Sequence, residues 1–271
     1  MPITSLDEYK SLIEESFGLP YSIAGMYSGY SAYQDMVIAT VPPGIVIPTT
    51  AVTCSKSTVG ALNSELESHS SSDLFIVNVS GSFSEYLASS IYLIDRLSHQ
   101  SGLVGNITTP QTTNLPTAAL TRYTNGSGVI AGIVVYNSTL TMTLSLSYTN
   151  ELGTSGRTTP TTPMTVSPGG IKFMPLQNGD EGIRSIESVT ISSIASTAGN
   201  FGVVLFKPLL LYGKPTLYGC NLDQDFISGN MLGGIPQLLN DACLWAICVE
   251  GDPGLSTTSG SSHGYINIGA I

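Results

Sequence analysis

From Leu140 to Thr149 apolar and polar residues alternate without exception (Leu-Thr-Met-Thr-Leu-Ser-Leu-Ser-Tyr-Thr). A period of two is that of a strand with one covered face. Leu140, Met142, Leu144, Leu146 and Tyr148 are therefore expected inside, and the Thr and Ser hydroxyls outside. Antiparallel sheets covered on one side read in this way. Because that outer face carries hydroxyls instead of charges, it is suited to meeting another sheet or a neighbouring subunit. The β-branched run Val129 to Tyr136 precedes it, and Gly170 to Leu176, Ile186 to Ile194 and Phe201 to Leu211 follow as further strands at sandwich spacing. Turn residues separate them, as in Ser167-Pro168-Gly169-Gly170 and Gln177-Asn178-Gly179-Asp180.

Elsewhere the pattern is more broken. Leu74 to Val79 reads as a strand, as do the short runs Met36 to Val41 and Gly44 to Ile47 around Pro42-Pro43. Thr58 to Glu67 has Val59, Leu62 and Leu66 on one helical face. Tyr86 to Leu97 is compatible with either element, and the apolar run Ile91 to Ile94 favours a strand. Ser5-Leu6-Asp7-Glu8 fits a capping box, with Leu6, Tyr9, Leu12, Ile13 and Phe17 behind it at helical spacing and Gly18 and Pro20 as stops. This predicts a short helix over residues 5–17. Its apolar stripe either covers one end of its own domain or docks on a neighbour as an arm. Ala242 to Val249, with the only tryptophan, Trp245, is a nearly continuous apolar run, and a last strand is expected near Gly264 to Ile268. The expected fold is mainly β: a jelly-roll-like β-sandwich over residues 84–212. Residues 1–83 form an N-terminal arm with the helix and short strands. Residues 213–271 form a loop-rich extension packing on the sandwich or on partner subunits.

Composition sharpens this picture. Only 10% of the 271 residues are charged, against about a quarter in an average globular chain. Charged groups are what interface cores exclude, so a chain this poor in them is suited to being covered by neighbours. The net charge of −10 and the absence of any Lys/Arg cluster argue against binding nucleic acid or anionic membranes. No apolar run is long enough to span a bilayer as a helix. The opening residues show no basic-then-apolar leader, so synthesis in a reducing cytoplasm is expected. Cys54, Cys220, Cys243 and Cys248 form no C-x-x-C pair; they are expected as buried apolar side chains, with a disulfide as the alternative.

A search for catalytic chemistry finds no convergent set. Gly260-Ser261-Ser262-His263-Gly264 has the letters of a nucleophile elbow, but a Ser/Gly loop precedes it and no acid or His follows. His69, His99 and His263 are unpaired at helical spacing, and His69 and His99, set among serines, are expected at the solvated surface. Asp223-Gln224-Asp225 lacks the glycine and the distal glutamate of a calcium loop. The protein is therefore expected not to be an enzyme, and no metal or cofactor is expected.

Two segments carry a resemblance: Ser147-Tyr148-Thr149-Asn150-Glu151-Leu152-Gly153-Thr154-Ser155-Gly156-Arg157-Thr158-Thr159 and Leu176-Gln177-Asn178-Gly179-Asp180-Glu181-Gly182-Ile183-Arg184-Ser185-Ile186-Glu187-Ser188-Val189-Thr190. They resemble recurrent motifs of tailed-bacteriophage virion structural proteins. Asp95-Arg96-Leu97, Leu205-Phe206-Lys207-Pro208-Leu209 and the opening ten residues are similar to the same group. The resemblance implies a virion protein, assembled in the host cytoplasm, whose partners are capsid subunits and further copies of itself, a trimer being the usual symmetry. Its leading form is a capsid decoration (cement) or minor head protein. The alternative is a tail-associated receptor-binding protein, with Tyr21, Tyr27, Tyr30 and Tyr33 on host glycans. Within the motifs, Gly153, Gly156, Gly179 and Gly182 are expected where turns demand a positive φ. Arg157 and Arg184 are expected either to pair with Asp180, Glu181 or Glu187, or to bridge to a neighbouring subunit.

Overall fold

The computed structural model describes residues 17–27, 33–35, 49–58, 61–62, 74–83, 89–116, 118–166, 168, 170–194, 198–213, 221–225, 237–250 and 259–270. These contain strands and no helix. The first are β1 (Phe17–Tyr27), β2 (Tyr33–Asp35), β3 (Val52–Thr53), β4 (Leu74–Phe83), β5 (Ser89–Val104) and β6 (Gln111–Leu115). Then come β7 (Ile130–Val135), β8 (Leu140–Asn150), β9 (Arg157–Thr158), β10 (Thr162–Val166), β11 (Gly170–Met174) and β12 (Ile183–Ser193). The last are β13 (Asn200–Gly213), β14 (Asn221–Asp225), β15 (Gln237–Leu238), β16 (Leu244–Glu250) and β17 (Ser259–Ala270). No helix among the described residues is long and apolar enough to cross a membrane.

The middle of the chain follows its hydrophobic pattern. In β8 every second residue from Leu140 to Asn150 is buried. β8 lies between β10 and β12, with β6 beyond β12 and the short β9 also paired to β8, in a five-stranded antiparallel sheet. Its apolar face packs on β5, β7, β11 and β13. Leu144, Leu146, Ile186 and Val189 from one side share a cluster with Leu97, Ile133, Phe201 and Leu205 from the other. At about 25 cal/mol per Å² of apolar surface removed from water, this is the main contribution to holding the two layers together.

The second layer is closed. The antiparallel pairings run β13–β7–β11–β2–β16–β5, and β5 then pairs with β13, so six of the seven strands in this sheet form a ring. The remaining strand, β3, pairs with β5 alongside β16. Residues directly opposite on antiparallel neighbours point to the same side. Val134 faces Ile171, Val204 faces His99, Phe206 faces Arg96, and Ile94 faces Trp245. The apolar members of this set form a cluster of their own, with Tyr136 and Ile247, apart from the one shared with the five-stranded sheet. That second cluster is the lumen of the ring. Its aromatic rings interlock: Phe173 lies 5.2 Å from Phe206 and 5.7 Å from Tyr92, edge-on to the latter.

A third, five-stranded sheet has the order β1–β17–β4–β14, with β15 also on β4. Residues 213–271, expected as a loop-rich extension, thus contribute strands to two sheets. β14 (Asn-Leu-Asp-Gln-Asp) and the Ser/Gly start of β17 carry no hydrophobic alternation. They are strands through backbone pairing, which composition does not announce. Of the helix expected over residues 5–17, Leu6, Tyr9, Leu12 and Ile13 lie outside the described residues. Phe17, expected to close it, opens β1 and pairs with Ile268. The expected strands Met36 to Val41 and Gly44 to Ile47 also lie outside, as does most of Thr58 to Glu67. Tyr86 to Leu97, the ambiguous segment, falls largely within the long strand β5, whose pairing on both edges decides the matter.

Gly132 is one place where the lumen has no room for a side chain. A Cβ there would sit 2.5 Å from Ile171 Cδ1 and 3.2 Å from Phe206 Cε1. Gly132→Ala is expected to overpack the ring and cost about 1–3 kcal/mol in urea unfolding, with secondary structure retained; an unchanged midpoint would show that the lumen has slack.

Candidate functional site

The outward face of the β6–β12–β8–β10 sheet is the surface that the alternation of β8 predicts. Thr141 stands beside Thr165, Ser145 beside Thr190, Ser147 beside Ser188 and Thr149 beside Ser185. The Thr141 and Thr165 hydroxyls are 3.2 Å apart. The carboxylate of Glu187 accepts hydrogen bonds from the Thr149 and Ser185 hydroxyls, each at 2.8 Å, so its charge is turned into the hydroxyl array. At one margin a shallow depression of about 340 Å³ is lined by Thr141, Thr143, Pro163, Thr165 and Lys172, with Met142 and Met164 beneath. Short hydroxyl side chains lose little rotamer freedom when covered and both donate and accept. Chemically, this face can form hydrogen bonds with a partner.

The turns at one end of this sheet are tied together by the two arginines picked out in the sequence. Arg157 donates from Nε and Nη2 to the two carboxylate oxygens of Asp180, both at 2.9 Å. Asn150 and the Tyr148 hydroxyl donate to the same carboxylate, and the Gln177 N–H donates to the Tyr148 oxygen at 2.9 Å. Arg157 above all, with Tyr148 and Asn150 assisting, holds the Asp180 carboxyl down to about 2. Burial, and then the neighbouring Asp180, pushes the Tyr148 hydroxyl up to about 12. Arg184 makes a different link from the ion pair expected of it, donating from Nε to the backbone oxygens of Glu151 at 2.9 Å and Asn125 at 3.2 Å. The Glu151 carboxylate in turn accepts the N–H groups of Glu181 and Gly182. Gly153, Gly156 and Gly179 take the expected positive φ. Gly182 is needed for another reason, because a Cβ there would collide with the Gly126 carbonyl oxygen. Leu152, 77% exposed, stands at the tip of this fixed turn.

The chain's most concentrated polar chemistry is internal, and local sequence did not mark it. Asp95 is fully buried and accepts a bidentate pair from Arg122 Nε and Nη2, both at 2.8 Å, and the Cys243 N–H at 2.9 Å. Arg122 Nη2 also donates to the backbone oxygens of Cys54 and Arg96. One ion pair thus gathers β3, β5, the segment before β7 and the start of β16. On the lumen side Arg96, also fully buried, lies over the Trp245 ring at 4.9 Å. His99, expected at the solvated surface, is completely buried: its Nε2 is 2.6 Å from the Tyr136 hydroxyl and its ring 6.0 Å from that of Trp245. The serines around it in sequence were a misleading cue, because a residue in β5 takes its environment from β13 and β16. Among the described residues no group of three His, Cys, Asp or Glu side chains is placed to hold a metal ion.

This interior can be tested at two positions. Asp95→Ala leaves Arg122 charged and buried with only the exposed Asp241 carboxylate, 3.7 Å away, and is expected to cost about 3–5 kcal/mol; Asp95→Ala with Arg122→Met should recover much of that loss, both read by urea unfolding. Burial, reinforced by the Arg96 cation, holds His99 well below its ordinary value of 6.5. The folded state therefore keeps it neutral while the unfolded chain takes up a proton, so its contribution to stability is lost as pH falls below 6.5. Between pH 8 and 5, wild type should lose up to about 1.4 kcal/mol per pH unit more than His99→Gln in the lower half of the range. Parallel pH profiles would contradict the assignment.

No protein-family model matches the chain, and no curated protein matches it. Among solved structures it is similar to the structure of infectious bursal disease virus Gx strain, at 9% identity over 94% of this chain and 81% of that one, with a TM-score of 0.22. It is likewise similar to the infectious bursal disease virus VP2 subviral particle, at 11% identity over 100% and 84% of the two chains, with a TM-score of 0.20. Both scores lie below those of chains that share a fold.

Proposed function

We propose that the protein is a non-enzymatic structural subunit of a virus particle, held to neighbouring subunits through the hydroxyl face of the β6–β12–β8–β10 sheet. The observation that carries this reading is the face itself. It is a regular sheet surface dressed with Thr and Ser, two of whose hydroxyls donate to one oxygen of the Glu187 carboxylate. A surface that need only remain in water gains solubility from Lys and Glu. One that is to be covered avoids the desolvation cost of those charges. The motifs at residues 147–159 and 176–190, similar to those of tailed-phage virion proteins, favour a capsid decoration or minor head protein working as a homo-oligomer, a trimer being the simplest closed form. The packing of two β layers supports the sandwich reading of the assembly unit, with the turn network around Asp180 keeping its end rigid.

The test is co-sedimentation of the purified protein with undecorated phage capsids and, in parallel, with host cells. Saturable binding to capsids is expected, weakened about 10- to 100-fold by Ser145→Lys in the middle of the face, with the melting temperature nearly unchanged. Binding to cells alone would replace this reading with a receptor-binding one. Capsid binding that ignores Ser145→Lys would move the contact to another surface.

A further inference from the structure

β3 and β16 run along the same edge of β5, opposite β13. Val52 and Thr53 pair with His99 and Ser98, while Leu244 pairs with Asp95. The two strands therefore abut end to end, with a cysteine on each side of the junction. The Cys54 N–H donates to the Leu97 oxygen and the Arg96 N–H donates to the Cys243 oxygen, both at 2.9 Å. Both side chains are fully buried, both are free thiols, and with Ala61 they form one small cluster edged by Val52. Arg96 Nη2 points to the Cys243 sulfur at 3.4 Å. Two thiols carried by distant parts of the sequence thus share one buried cluster beside a guanidinium.

We propose that Cys54 and Cys243 are an oxidisable dithiol, converted by a small peroxide into an intramolecular disulfide that staples the end of β3 to the start of β16. The roles of the two sulfurs differ. The Cys54 thiol donates to the Val52 oxygen at 3.9 Å, while the Cys243 sulfur accepts from Arg96 Nη2 at 3.4 Å; the neighbouring Cys54 and then the Arg96 cation draw the Cys243 thiol below its ordinary range. Cys54 is pushed up, chiefly by its neighbour Cys243 and then by burial. Cys243 is therefore the nucleophile and Cys54 the resolving thiol. The Cys243 thiolate attacks one peroxide oxygen and the O–O bond breaks. The departing hydroxide takes up a proton to leave as water, and Cys243 is left as a sulfenic acid. The Cys54 sulfur then attacks the Cys243 sulfur, the S–O bond breaks, and a second water departs with the Cys54 proton. The two thiols lose two electrons and the peroxide is reduced to two waters. Complete burial selects the oxidant: hydrogen peroxide is small enough to enter a closed core through its fluctuations, whereas a bulky disulfide is not. The staple would join segments from opposite ends of the sequence, shrinking the unfolded ensemble by closing a very long loop.

The test is to treat the folded full-length chain with limiting hydrogen peroxide, alkylate the remaining thiols, and map peptides without reduction. A Cys54–Cys243 cross-linked peptide is expected, with the intact mass lowered by two hydrogens. The melting temperature should rise by about 5–10 °C and return to its starting value with dithiothreitol. In Cys54→Ala the cross-link should vanish and a Cys243 sulfenic acid become trappable by dimedone. The proposal is overturned if peroxide leaves Cys54 and Cys243 uncross-linked in the folded wild type, or if the cross-link joins Cys220 or Cys248 instead. The wild-type peptide map separates these outcomes even where the alanine variant fails to fold.

Discussion

β5 and β13 pair along nearly their whole lengths, and the rest of the architecture depends on that contact. Without it the seven-stranded sheet would be open, with two edges and two exposed faces. With it, six strands close into a ring and the long apolar runs of β5, β7 and β13 acquire an inside and an outside, both dry. One face fills the lumen around Trp245 and Phe206, and the other packs on the alternating strand β8 and its neighbours. Strands buried on both faces carry near-continuous apolar runs, which is why Ile130–Val135 and the start of β13 lack the alternation of β8, while the polar residues of β5 such as Asp95 and His99 are buried beside polar partners. Closure also removes from this sheet the exposed edges that would invite uncontrolled pairing with other chains.

The closed ring also sets where charge resides. Arg96 and Arg122, two of only nine Lys and Arg residues, lie inside. Arg122 is neutralised by Asp95, and Arg96 is laid over an indole and against a sulfur. Such groups stabilise little by comparison with apolar packing, and their value lies in specificity. The Asp95–Arg122 pair can form only when β3, β5 and β16 are correctly aligned, because it also holds the Cys54 oxygen and the Cys243 N–H. The outer sheet is the complement, dressed with hydroxyls, two of which donate to one oxygen of the Glu187 carboxylate. With so few ionisable residues in the chain, those placed in the interior are not present on the sheet face.

The sequence by itself determined the elements whose environment repeats with the period of the chain. The two-residue rhythm of Leu140 to Thr149 specified β8, its buried face and its hydroxyl face, because a strand's side chains alternate whatever it pairs with. The β-branched runs located β7 and β12, the apolar run around Trp245 located β16, and the turn glycines at 153, 156 and 179 were visible because positive φ excludes most other residues. Tertiary structure alone decided what depends on partners distant in sequence. Ring closure is set by β5 meeting β13 and β16. β14 is a strand because β4 offers it backbone partners, and the Ser/Gly start of β17 because β1 and then β4 do. His99 lies in the core because β13 and β3 flank it and Trp245 of β16 lies against it, although its sequence neighbours are polar. Asp95 with Arg122, and Cys54 with Cys243, are brought together by strand pairing, which leaves no trace in local composition.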